Sequence, residues 1–99
     1  MKVNITSVHF KTDQKLEDYI NEKVEKLSGI FEGLLTSEVT LKIDKNEKEG
    51  NKVTEIRLVI PGYDLFAKKQ SKSFEHATDI AVEALRKQLV KHKGKVKGV

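Results

Sequence analysis

Alternation of apolar and polar positions marks four segments of this chain, and an apolar repeat every three or four residues marks two more. Residues 2–8 alternate, with Val3 and Ile5 on one face and Lys2, Asn4 and Thr6 on the other, which predicts a strand. Leu16, Tyr19, Ile20, Val24, Leu27 and Phe31 then keep helical spacing and predict an amphipathic helix from Thr12 or Asp13 to about Leu27. Gly29 and Gly33 follow as stop signals. Glu38 to Asp44 alternates with Val39, Leu41 and Ile43 inward, and Val53 to Ile60 with Ile56, Leu58 and Ile60 inward. The solvated loop Asn46–Asn51 separates them as a hairpin tip. Pro61-Gly62 supplies a turn, and a short fourth strand runs from Asp64 to Lys69. Ser71 or Ser73 caps a last helix whose buried side reads Phe74, Ala77, Thr78, Ala81, Ala84, Leu85, Gln88 and Leu89; Gly94 and Gly98 mark where it frays.

The order is therefore β-α-β-β-β-α. A right-handed crossover makes the first two strands parallel neighbours, and the short connections after them favour an antiparallel meander. Each strand has one apolar and one polar face, so both helices belong on one side of the sheet. The expected fold class is α+β, a four-stranded mixed sheet with two helices packed on one face. At 99 residues, without an internal repeat or a linker, the chain reads as a single domain, 1–99, with a basic tail from about 94 to 99.

Charge sharpens this picture because it is placed. Residues 1–63 hold ten Lys/Arg against eleven Asp/Glu, whereas residues 64–99 hold nine against four. From Leu85 onward Arg86, Lys87, Lys91, Lys93, Lys95 and Lys97 stand without one acid. Lysines in a last helical turn gain about 0.3–1 kcal/mol each from the macrodipole, but that effect fades beyond the turn and does not require six cations. Lys23 falls inside the apolar arc of the first helix, either as a snorkelling stem or as a cation aimed into the groove between the helices, with Lys26 one turn on. Lys68, Lys69 and Lys72 form a second cluster before the last helix. A phosphate backbone is the extended anion that such a distribution suits. The candidate RNA-binding residues are Lys23, Lys26, Lys68, Lys69, Lys72, Arg86, Lys87, Lys91, Lys93 and Lys95, and the helix-borne ones are expected to converge into one strip.

Other chemistry is poorly supported. Without cysteine there is neither a disulfide frame nor a thiolate site. His76, Asp79 and Glu83 share what reads as the solvated side of the last helix, but their spacing matches no strong metal motif. No Walker loop, G-x-G-x-x-G or H-E-x-x-H is present, so no enzyme, cofactor, metal or small-molecule substrate is expected. The longest apolar runs are a few residues and the first five residues alternate in polarity, so neither a membrane span nor a signal peptide is expected and a cytoplasmic location is. With no evident apolar patch, a monomer is expected when the chain is free. Phe10, Tyr19, Phe31 and Phe74 read as packing residues, with Phe66 on the open sheet face and Tyr63 beside the turn. Paired exposed aromatics on central strands, the mark of a base-stacking sheet, are missing, which favours recognition by shape and phosphate contact from the helices.

An ordered series of residues resembles the short ribosome hibernation promoting factors and ribosome-associated translation inhibitors, also called sigma-54 modulation proteins. It runs from Val3-Asn4-Ile5-Thr6-Ser7 through Leu16, Tyr19-Ile20, Lys23-Val24 and Lys26-Leu27, then Pro61 and Leu65-Phe66-Ala67. It ends in Ala77, Ala81-Val82, Ala84-Leu85-Arg86-Lys87-Gln88-Leu89 and Lys91-His92-Lys93. The resemblance implies a fold similar to a double-stranded-RNA-binding domain with an extra N-terminal strand. It also implies binding to ribosomal RNA of the small subunit at the decoding region, blocking messenger and transfer RNA in starvation or stationary phase. By position Lys23, Lys26, Arg86, Lys87, Lys91 and Lys93 match the family's basic helix positions, and Lys95 extends them. Ser73 and Glu75 depart from an Asp and a Tyr that many relatives carry at the start of the last helix. The second domain of long members and the acidic tail of some inhibitors are expected to be missing. Two rival readings are a duplex-RNA-binding module acting off the ribosome and a protein-interaction adaptor using Thr40, Lys42, Glu55 and Arg57 on the open sheet face.

Overall fold

The computed structural model of the chain describes the backbone of residues 1–97 and the side chains of residues 1–92. Its elements are β1 (Lys2–Ser7), α1 (Gln14–Glu25) closed by a 3-10 turn over Lys26–Gly29, β2 (Thr36–Ile43), β3 (Lys52–Ile60), β4 (Tyr63–Ser71) and α2 (Phe74–Lys97). The strands lie in the order β1-β2-β3-β4. β1 runs parallel to β2, and the other two pairings are antiparallel. The α+β class, the mixed sheet and the single helical layer are as the pattern predicts.

Local chemistry explains the boundaries. The Asp13 carboxylate accepts the Leu16 N–H at 2.7 Å and Ser73 Oγ accepts that of His76 at 3.0 Å, so each helix starts on a side-chain cap. Gly62 takes φ +79°, which the glycine of the tight turn before β4 adopts without strain. β2 begins at Thr36, two residues earlier than alternation suggests, because Thr36 and Ser37 already have partners on both β1 and β3. β4 reaches Ser71 for the same reason, remaining paired with β3 to Lys52. α2 does not stop at Gly94 but continues to Lys97. One glycine costs a helix about 1 kcal/mol, too little to end it alone.

The core lies between the sheet and the helices. Ile20, Val24 and Leu27 from the first helical segment meet Val39, Leu41, Ile56 and Leu58 from the central strands and Ala81, Leu85 and Leu89 from α2. Each large aliphatic side chain so buried contributes about 1.5–3 kcal/mol. Thr54 completes the inward row of β3, and its hydroxyl lies 3.3 Å from that of Thr78 on α2. That pair satisfies two otherwise orphaned buried hydroxyls. Phe10 stacks on Phe74 with centroids 5.1 Å apart, tying the β1–α1 connection to the start of α2.

Candidate nucleic-acid interface

α1 and α2 lie side by side, and a polar seam joins them. The Tyr19 hydroxyl donates to Asp79 at 2.7 and 2.8 Å from its two carboxylate oxygens. That bond, reinforced by partial burial, pushes the phenol up to about 12. The Lys23 ammonium sits 5.4 Å from the centre of the Tyr19 ring, close enough for a cation–π contact. Lys23 and Lys26 line a groove of about 270 Å³ with Asp79, Glu83 and Arg86. Arg86 grips Glu83 with two hydrogen bonds of 2.9 and 2.6 Å. The guanidinium holds the Glu83 carboxyl below its usual range, and the carboxylate raises Arg86 in turn.

The opposite flank of α2 differs. Lys87 shares a depression of about 400 Å³ with Lys69 of β4, His76 and Ile80, and Asp79 and Glu83 line its edge from the ridge. One turn on, Lys91 lines a second depression of about 210 Å³ with Tyr63, Leu65, Gln88 and His92. Among the described residues, Lys69, Lys87 and Lys91 enter no ion pair.

The expected single strip is therefore divided. At 100° per residue Arg86 and Lys87 diverge to opposite sides of the helix ridge, and Asp79 and Glu83 stand between them. The second lysine cluster is also split, because neighbours on a strand face opposite ways. Lys68 joins the open face, directly across from Glu55, whereas Lys69 faces α2. Lys72 belongs elsewhere again, lining a depression at the β2–β3 hairpin tip with Lys48 and Lys52, two lysines that the linear pattern did not single out. The side chains of Lys93 and Lys95 lie outside the described residues.

Asp79 is a further correction. It is a half-buried acceptor for Tyr19 and not a member of a solvated trio. Alternation on one helix shows which side a residue takes but not which partner waits there. His76 meanwhile pairs with Ser71. Among the described residues no group of three His, Asp or Glu is placed to hold a metal ion, and no helix is long and apolar enough to cross a membrane.

The family model described as sigma 54 modulation protein / S30EA ribosomal protein matches residues 3–97. The chain belongs to that family. Among its relatives, the ribosome hibernation promoting factor of Pseudomonas putida strain KT2440 is 32% identical over 95 residues, spanning 96% of this chain and 89% of the relative. The factor of the same name from Klebsiella oxytoca is 26% identical over 97 residues and 98% of each chain. Two solved family folds superpose closely. The protein Y N-terminal domain of Thermus thermophilus gives a TM-score of 0.80 at 22% identity, over 93% of this chain and 99% of that one. A ribosomal subunit interface protein from Coxiella burnetii gives 0.84 at 18% identity, over 95% and 99%. Family membership thus rests on sequence, and the superposition speaks to the fold alone.

Proposed function

We propose that this chain is a cytoplasmic ribosome hibernation factor that acts by occupancy and without catalysis. It lodges in the decoding region of the small subunit and excludes messenger and transfer RNA while the ribosome is idle. Lys23, Lys26, Lys69, Lys87 and Lys91 meet ribosomal RNA phosphates, with Arg86, Lys93 and Lys95 adding to the same helices' charge. Lys68 and Lys72 point away from these helix flanks and contribute only to the general field. Off the ribosome the chain is a monomer.

The observation that carries this reading is end-to-end similarity to relatives named ribosome hibernation promoting factors, over 95 to 97 residues. The geometry supports it, since lysines without internal partners keep their full charge for an external polyanion. Sedimentation of lysates from growing and nutrient-limited cells is the direct test. The chain is expected with small subunits and whole ribosomes under limitation; finding it at the top of the gradient in both states sinks the proposal. If about six phosphates are neutralised, log K for isolated small subunits falls with log salt at a slope of roughly −4 to −5. A flat dependence removes the electrostatic part.

A further inference from the structure

Three aromatic rings from distant parts of the chain meet beside the β3–β4 turn. His92 on α2 stands edge-on to Phe31, with centroids 5.3 Å apart and planes at 67°. On its other side is Tyr63, the first residue of β4, at 5.0 Å and 52°. Phe31 packs against the core, so the row of rings runs from the interior outward and ends on Tyr63, which remains 51% exposed. Tyr63 and His92 line the 210 Å³ depression together with Leu65, Gln88 and Lys91. The Gln88 amide donates to the Phe66 carbonyl at 3.3 Å and so ties α2 to β4 beside it.

We propose that this depression is a stacking site for one unpaired nucleobase of an RNA strand, with Lys91 taking the adjacent phosphate. The proposal rests on the RNA-binding reading above and goes beyond it by adding base contact to phosphate contact. Closing the end of the core accounts for Phe31 and His92, but not for a tyrosine propped on His92 and left open to water. An aromatic ring already held by a neighbour loses little conformational freedom when a ligand arrives. A base offers it a flat π-face whatever its identity. Lys91 follows Lys87 by one helical turn on the flank without ion pairs, so a strand whose phosphates track those lysines brings a base to Tyr63. Bases inside an A-form duplex are hidden from such a ring, and the ligand is therefore a loop, bulge or single-stranded end.

The full chain is titrated with a short single-stranded oligoribonucleotide and, separately, with an abasic strand of equal length and phosphate number. Tyrosine emission and affinity are both read. Tyr63 dominates the emission because the Tyr19 hydroxyl is bound to a carboxylate, an arrangement that quenches the ring. The base-bearing strand is expected to quench the emission and to bind about tenfold more tightly than the abasic one. Tyr63→Phe keeps that preference and Tyr63→Leu abolishes it, while both variants retain the wild-type melting temperature. Equal affinity for the two strands, or a preference that survives Tyr63→Leu, overturns the stacking site and leaves phosphate binding intact. Binding of neither strand overturns the stacking site, and the ribosome reading is then decided by the sedimentation test alone.

Discussion

The two flanks of α2 are lined by similar numbers of cations and differ in how those cations are held. Toward α1, Arg86 is held by Glu83, and Asp79 brings another carboxylate into the groove that Lys23 and Lys26 line. Toward β4, Lys69, Lys87 and Lys91 have no ion-pair partner among the described residues. A polyanion reaching Arg86 must displace the Glu83 carboxylate from two hydrogen bonds. Lys69, Lys87 and Lys91 are gripped by no carboxylate among the described residues, although Asp79 and Glu83 also line the depression beside Lys87. Counting the basic residues that line each flank, Lys23, Lys26 and Arg86 against Lys69, Lys87 and Lys91, would rank the two equally. Availability of charge, set by which cation a carboxylate grips, separates them.

The largest expected effect tests that separation directly. Lys87→Glu with Lys91→Glu lowers affinity for small subunits by about a hundredfold or more, since two charge-assisted contacts are lost. The melting temperature is unchanged because both side chains are exposed. Co-sedimentation at wild-type affinity would show that the β4 flank is not the binding surface.

A smaller effect belongs to the α1 flank and appears in stability. Tyr19→Phe removes the bond that ties α1 to α2 and costs about 1 kcal/mol, or roughly 4–8 °C in melting temperature. Its pH dependence follows from the phenol being raised from 10.0 to about 12. A raised value means that the contribution is complete below pH 10 and is lost as pH climbs through about 12. In urea titrations the gap between wild type and Tyr19→Phe should stay constant up to pH 10 and close above it. A gap that persists at pH 12 assigns the stabilisation to ring packing and not to the hydroxyl.

The smallest effect is a gain. Glu83→Gln leaves Arg86 without its ionic partner and should tighten small-subunit binding roughly two- to fivefold, with the fold unaltered. Unchanged affinity would mean that Arg86 makes no RNA contact in either state.

Much of the fold was legible because its rules are local. Val39 and Leu41 alternate with Thr40 and Lys42, Ile20, Val24 and Leu27 keep helical spacing, and Pro61-Gly62 places the turn. Binary patterning of this kind identifies each element without knowledge of its neighbours. The lysines of α1 and α2 were visible for the same reason. Their grouping was not, because Arg86 and Lys87 are adjacent in sequence yet lie on opposite sides of a ridge. Lys68 and Lys69 are likewise adjacent and face opposite sides of the sheet.

Amino-acid order alone determined the element types, the inward face of each and the excess of positive charge toward the C-terminal third. Those properties depend on side-chain chemistry and on backbone periods of 2 and 3.6 residues, both written in a few consecutive positions. Only the folded arrangement decided which charges are spent internally and which rings gather around His92. Glu83 reaches Arg86 across one turn, but Tyr19 meets Asp79 over 60 residues. Phe31, Tyr63 and His92 come from three different segments. Contacts of that kind arise when helices settle on the sheet at a particular register, and no short window of sequence contains it.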